Sequence, residues 1–318
     1  MFLRNRRLKI FSREQGARTA LLALGLSLFA VISPLRAEKK INVVTTTQDL
    51  AYFARQVGGE RVRVEALIRG YDDPHYIQAR PDFIIKLNRA DIYAVVGLDM
   101  EIGWSPALVR QARNNGIRPG SAGYCDASAG VKPLEVPSSL SRERGDIHAR
   151  GNPHYWLDPL NALIMARNLR DALIRVDPRG ASYYLKRFRI FAEKLKRLVL
   201  VEFKNMRAFR GLQVAVFHKE FSYLARRFRF KAAVSIEEKP GVPPSAAYMA
   251  RAAAAIRREK IKIILIAPWN NPRYARSVAK RTGARVLVMP VSVGSAPGVE
   301  SYEKSISIML AKIRAAAR

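Results

Sequence analysis

The stretch GASYYLKRFRIFAEKLKRLVLVEFKNMRAFR, residues 180–210, decides the architecture. Tyr184, Leu185, Phe188, Phe191, Ala192, Leu195, Leu198 and Val199 recur at helical spacing with Lys and Arg between them, which predicts one long amphipathic helix. A second helical stretch, 159–176, precedes it across Asp177-Pro178. An apolar stripe of this length marks packing rather than a ligand box. It is expected to lie across two lobes and tie them together, with a cleft between them.

Outward from this helix, short β-branched runs alternate with longer amphipathic ones. Strands are expected at 41–45, 62–68, 92–96, 214–217, 232–236, 261–266 and 285–289. Helices are expected at 49–57, stopping at Gly58 and Gly59; at 245–258, opening after Pro243 and Pro244; and at 272–282, stopping at Gly283. That alternation implies parallel sheets covered by helices. The fold class is therefore α/β, with two doubly wound lobes linked by the long helix. Residues 116–153, rich in Gly, Pro and Ser, interrupt the pattern and read as a long loop with one short strand. The expected division is 1–37 as an export signal, 38–178 as an N-terminal lobe, 179–210 as the linking helix and 211–318 as a C-terminal lobe.

The signal follows from charge and hydropathy. Six basic residues precede an uncharged run from Thr19 to Ser33, and small-residue cleavage is expected after Ala37. The run is shorter than the roughly 20 residues that span a bilayer, and no cysteine follows it to carry a lipid. A soluble, periplasmic monomer is the expectation. The single cysteine, Cys125, excludes an intrachain disulfide and any CxxC metal or redox motif, and reads as a small buried apolar residue.

The 318 residues carry a formal charge of +30; residues 1–37 hold seven basic and one acidic residue, so the exported chain keeps +24. Such a field attracts anionic membrane surfaces, acidic cell-wall polymers or nucleic acid. Export, the lack of a long basic block and the scatter of Arg and Lys over helix faces argue against nucleic acid. Contact with an anionic membrane surface or cell-wall polymer stays in view.

Only four histidines occur: His75, His148, His154 and His218. His75 follows Asp72-Asp73-Pro74, a stiff turn just beyond a strand. His154 precedes Tyr155-Trp156-Leu157-Asp158-Pro159, in which Asp158 caps the next helix and Pro159 takes its first position. His218 ends the strand Val214-Ala215-Val216-Phe217, and in open α/β sheets the carboxyl ends of strands face the ligand crevice. Three histidines at such boundaries point to one shared cation; three imidazoles with a carboxylate or water suit tetrahedral Zn²⁺. His148 reads as an exposed loop residue. Asp73 and Asp158 read as groups that shape turns or accept a hydrogen bond from a ligating imidazole.

The segments Asp73-Pro74-His75, Pro81-Asp82, Asn88-Arg89-Ala90-Asp91 and Gly97-Leu98-Asp99-Met100-Glu101-Ile102-Gly103-Trp104 together resemble the zinc/manganese substrate-binding proteins of ABC transporters. So do His154-Tyr155-Trp156-Leu157-Asp158-Pro159, Val216-Phe217-His218-Lys219-Glu220-Phe221 and Thr282-Gly283-Ala284. The resemblance spans 41–313. It implies two α/β lobes bridged by a long helix, with the ion in the cleft between them, and a partnership with an ABC permease and its ATPase.

Carried over position by position, it makes His75, His154 and His218 ligands of a transported divalent metal. Many relatives add a carboxylate late in the second lobe. The matching stretches here, Ile266-Ala267-Pro268-Trp269 and Pro290-Val291-Ser292-Val293-Gly294, contain none. Glu237 is the substitute candidate; water is the alternative. Three imidazoles favour Zn²⁺ over Mn²⁺, although other divalent transition metals also accept imidazole. The long His- and acid-rich loop of some zinc-specific relatives is missing.

Two other classes compete with this transport reading. A zinc hydrolase needs the same three histidines and a bound water, with Glu220 as its one candidate base, but no His-Glu-x-x-His helix or Gly-x-Ser-x-Gly elbow is present. An adhesive module would use the basic surface. No catalysis is expected.

Overall fold

A computed structural model describes residues 39–138 and 148–318. The expected signal and its cleavage site lie outside the described residues, as does 139–147, just before His148. Among the described residues no helix is long and apolar enough to cross a membrane.

Two four-stranded sheets, parallel throughout, carry the chain. The first contains β1 (Ile41–Thr45), β2 (Val62–Ala66), β3 (Ile92–Val95) and β4 (Tyr124–Asp126), in the order β2-β1-β3-β4. Its helices are α1 (Gln48–Gly58), α2 (Pro81–Asn88) and α3 (Ser105–Gln111). The second contains β5 (Gln213–Val216), β6 (Lys231–Ser235), β7 (Ile263–Ile266) and β8 (Arg285–Val288), in the order β6-β5-β7-β8. Helices α6 (Ser222–Phe228), α7 (Ala246–Arg258), α8 (Pro272–Thr282) and α9 (Tyr302–Ala317) accompany it. The inner strands β3 and β7 are buried along their whole length, whereas the edge strands β2, β6 and β8 expose part of theirs. Helices on both faces of a parallel sheet produce that contrast.

Between the lobes run α4 (Pro159–Val176) and α5 (Ala181–Asn205). Helix α4 starts where its sequence says it should: the Asp158 side chain accepts from Leu160 N, and Pro159 stands first. Helix α5 buries Tyr184, Phe191, Ala192 and Leu195, but it ends before the predicted Arg210. Met206 enters the core and its N–H bonds to Glu202 O, so the chain tightens into a 3-10 turn at Arg207–Phe209. Helices α2, α3, α6 and α9 lie beyond the set expected from hydropathy, and the short strand expected in the 116–153 loop is β4. Cys125 is buried in β4 beside Ala94 of β3, and burial pushes its thiol up to about 12.

One continuous apolar core runs through both lobes, joining residues of β1, α1, α4, α5, β5 and α9. Polar ties cross the same seam. Asp49 in α1 accepts from Val293 N at 3.1 Å and from the Ser292 hydroxyl. Tyr52 donates to Glu303 at 2.7 Å, and Trp156 Nε1 donates to Val291 O at 2.9 Å. Gly70, in the loop leading to His75, has no room for a side chain: a Cβ there would stand 2.0 Å from Val293 O. The backbones of the two lobes therefore meet next to the segment that presents the first histidine.

Candidate metal centre

The chain reaches His75 through a loop that continues the sheet for two residues, with Leu67 N and Ile68 N donating to Thr45 O and Thr46 O. Asp73 then folds back over Pro74. Its Oδ1 accepts from His75 N at 3.0 Å and from His75 Nδ1 at 2.7 Å. Trp104 Nε1 donates to Pro74 O at 2.9 Å and fixes the turn to the first lobe.

The same device recurs at Asn152-Pro153-His154. Asn152 Oδ1 accepts from His154 N and from His154 Nδ1, both at 2.9 Å. The orientation of this amide is settled by its other end, since Nδ2 donates to Glu135 Oε2 at 2.9 Å and to Lys219 O at 2.8 Å. Nδ1 of His154 therefore carries the proton and Nε2 the lone pair. The ring is 1 % exposed. Burial, then the neighbouring His75, His218 and His148, push its pKa well below the ordinary imidazole value. It is held neutral, as a ligand must be.

His218 is positioned differently. It follows β5 and caps a 3-10 turn, and its Nδ1 donates to Glu237 Oε2 at 2.5 Å. Glu237 is placed by strand pairing: β6 runs parallel to β5, and Glu237 N donates to Phe217 O. The second carboxylate oxygen accepts from Gly241 N at 3.0 Å. Burial works against the charged ring, but Glu220 and then Glu237 outweigh it and hold His218 up at about 9.

These three settings aim the imidazoles at one point. Ring centroids are 5.0 Å apart for His75 and His154, 5.1 Å for His154 and His218, and 5.7 Å for His75 and His218. One ring nitrogen from each lies within 4.8 Å of the other two. Each Nδ1 is already committed, which leaves Nε2 of each ring as the atom available to a cation. Nε2 of His75 and of His154 is buried with no hydrogen-bond partner. Buried unpartnered lone pairs are costly, and a cation relieves that cost. Nitrogens on one tetrahedral Zn²⁺ stand about 3.3 Å apart, given Zn–N bonds of about 2.0–2.1 Å. A small inward movement of the rings reaches that spacing.

Two expectations from the sequence are met differently. Glu237, expected as a ligand, stands outside the cluster and behind His218, because the β5–β6 register brings it to the Nδ1 side of the ring. His148, expected as an exposed loop residue, is partly buried, with its ring 5.1 Å from that of His75. Asp158 holds no histidine: it caps α4 and pairs with Arg227 at 2.7 Å. Trp156 packs 5.3 Å from the His154 ring, and Trp269 lines the cleft beside His218. Asn152, which holds the His154 ring, stands outside the residues expected from the sequence, although its Asx-Pro-His spacing repeats that of Asp73.

Glu220 is wholly buried and neither carboxylate oxygen has hydrogen-bond geometry to a described donor. Burial raises its pKa, against the pull of His218. A cleft of about 240 Å³, lined by His75, His148, His218, Glu237 and Trp269 among others, opens onto the cluster.

With two parallel lobes and a three-imidazole cluster described, comparison with known proteins places the chain. The family model for ZnuA, the periplasmic zinc-uptake complex component A, matches residues 43–316. The chain belongs to the ZnuA family. Among curated relatives, the metal ABC transporter substrate-binding lipoprotein SloC of Streptococcus mutans is 26 % identical over 266 residues, covering 81 % of this chain and 83 % of SloC. The iron-binding protein YfeA of Yersinia pestis is 27 % identical over 285 residues, covering 87 % of this chain and 86 % of YfeA. The fold matches a crystal structure of ZnuA with a TM-score of 0.74 at 21 % identity, over 88 % of this chain and all of that one. The family description names zinc and the YfeA name iron, whereas the SloC name specifies no one metal.

Proposed function

We propose that this chain is an exported, periplasmic substrate-binding protein that captures one divalent transition-metal ion, Zn²⁺ first, and delivers it to an ABC permease and its ATPase. His75, His154 and His218 hold the ion through Nε2. Glu237 serves as the acceptor behind His218, where it orients the ring and raises its basicity. Residues 1–37 direct export, 38–178 and 211–318 are the lobes, and 179–210 links them.

One observation carries this reading: the three imidazoles converge, one ring nitrogen of each within 4.8 Å of the others, while each Nδ1 is pinned by a side-chain oxygen. A donor set of imidazoles without a carboxylate in the cluster favours Zn²⁺ over the oxygen-seeking Mn²⁺. Glu220, the base that a hydrolase would require, is sealed from solvent, so the reading assigns binding and no catalysis. The protein acts as a monomer, takes no nucleic acid, and its net charge of +24 after export suits an anionic envelope.

Elemental analysis with calorimetric titration of the purified protein tests this. One Zn²⁺ per native chain, bound far more weakly in His218→Ala, is the expected result. A native chain that takes up no divalent metal overturns it.

A further inference from the structure

Three imidazoles leave one corner of a tetrahedron open, and the molecule has a group beside it. The fourth histidine, His148, lies six residues before His154, yet its partly buried ring lies tilted against the ring of His75, with centroids 5.1 Å and planes 37° apart. His148 and His218 line both the cleft of about 240 Å³ and a neighbouring one of about 460 Å³ that reaches His154, so His148 stands where the two openings meet over the cluster. Nε2 of His148 is shielded from solvent.

Of the carboxylates near the cluster, Glu220 lines neither opening, and the other two are committed elsewhere. Glu237 has one oxygen on His218 and the other on Gly241 N. Asp73 holds His75. In the second lobe Ser292 is turned away to Asp49. His148 is not yet within the 4.8 Å grouping of the other three, but its ring is already in contact with a member of it. Gly151 N donates to His148 O at 3.0 Å and closes a turn over 148–151.

We infer that His148 supplies the fourth ligand to the bound cation, closing an all-imidazole site over the ion. This rests on the three-histidine reading above and deepens it. Four neutral nitrogens and no oxygen match Zn²⁺ and reject Mn²⁺ more firmly than three nitrogens with an open position for water or carboxylate. The ligand comes from a turn at the mouth of the cleft, so it also shields the ion from water once the ion has entered.

The test compares the native protein with His148→Ala and His148→Asp. Zn²⁺ affinity is measured by chelator competition, imidazole count by X-ray absorption of the Zn²⁺ form, and geometry by the visible spectrum of the Co²⁺ form. Four imidazoles are expected in the native protein and three in His148→Ala, which still takes one ion but about 10- to 100-fold more weakly, no less than the cost of losing an outer-shell partner. His148→Asp, with an oxygen in the fourth place, is expected to raise the Mn²⁺-to-Zn²⁺ affinity ratio. Native protein that binds one ion with three imidazoles, and a His148→Ala variant with the same affinity and Co²⁺ spectrum, would overturn the inference and leave the three-histidine site standing. Native protein that binds no ion defeats both.

Discussion

His75 and His218 come from different lobes to one cluster, and the chain secures them by opposite means. His75 is held by Asp73, two residues away, through a turn that Pro74 stiffens; His154 repeats the arrangement with Asn152. His218 is held by Glu237, 19 residues away, and only because β6 pairs in register beside β5. A turn of three residues forms from local forces, whereas a contact across two strands depends on the whole second lobe. The first-lobe side of the site should thus tolerate conservative change, and the second-lobe side should not.

Removing a ligand is the bluntest way to break the comparison. His154→Ala and His218→Ala are each expected to weaken Zn²⁺ by more than about 100-fold, beyond the range for outer-shell partners. Titration calorimetry that found either variant within tenfold of native would dissociate that ring from the ion.

The seam between lobes comes next. Burial raises Asp49 to about 6 from an ordinary 3.8, against its bonds to Ser292 and Val293. A carboxyl raised in the folded state holds its proton longer than in the unfolded chain, so stability falls as pH rises from about 4 to 6 and is level above that. Over that window the loss approaches about 3 kcal/mol, at about 1.4 kcal/mol per pKa unit. Asn in this place still accepts from Val293 N and meets the Ser292 hydroxyl without a charge. Asp49→Asn should therefore gain on the native protein as pH rises through this window; melting curves of the two metal-free proteins that stay parallel would refute this.

Glu237→Gln sharpens the contrast. An amide has only one acceptor, so it satisfies His218 Nδ1–H or Gly241 N–H and turns its NH₂ against the other. Affinity should drop about 10- to 100-fold, with one ion still bound per chain. The smallest effect belongs to Asp73→Asn, which keeps the one oxygen that both His75 bonds use. Less than a tenfold change is expected, by analogy with the Asn that already serves His154. Equal losses for these two variants would erase the difference between a local and a long-range support.

Much of this was legible in residue order. Alternating β-branched and amphipathic runs placed seven of the eight strands within a few residues, and the Pro and Gly punctuation set the ends of α1 and α8. Pro159 after Asp158 marked the start of α4. At the site, Asp73-Pro74-His75 could be read directly as a turn. Asn152-Pro153-His154 carried the same signal, but it is recognised only when the two are set side by side.

What sequence determined by itself is the inventory and the short-range geometry: four histidines, two Asx-Pro-His turns, and strands whose pattern demands burial on both faces. Tertiary structure alone decided that Glu237 stands behind His218 instead of beside it, that His148 is partly buried against His75, and that Gly70 brings the first lobe against Val293. The reason is one of range. A turn's hydrogen bonds close within two or three residues, so composition suffices to specify them. Partners 19, 73 or more than 200 residues apart meet only after sheets have paired in register and a shared core has excluded water, and no local signal in the chain encodes where that leaves them.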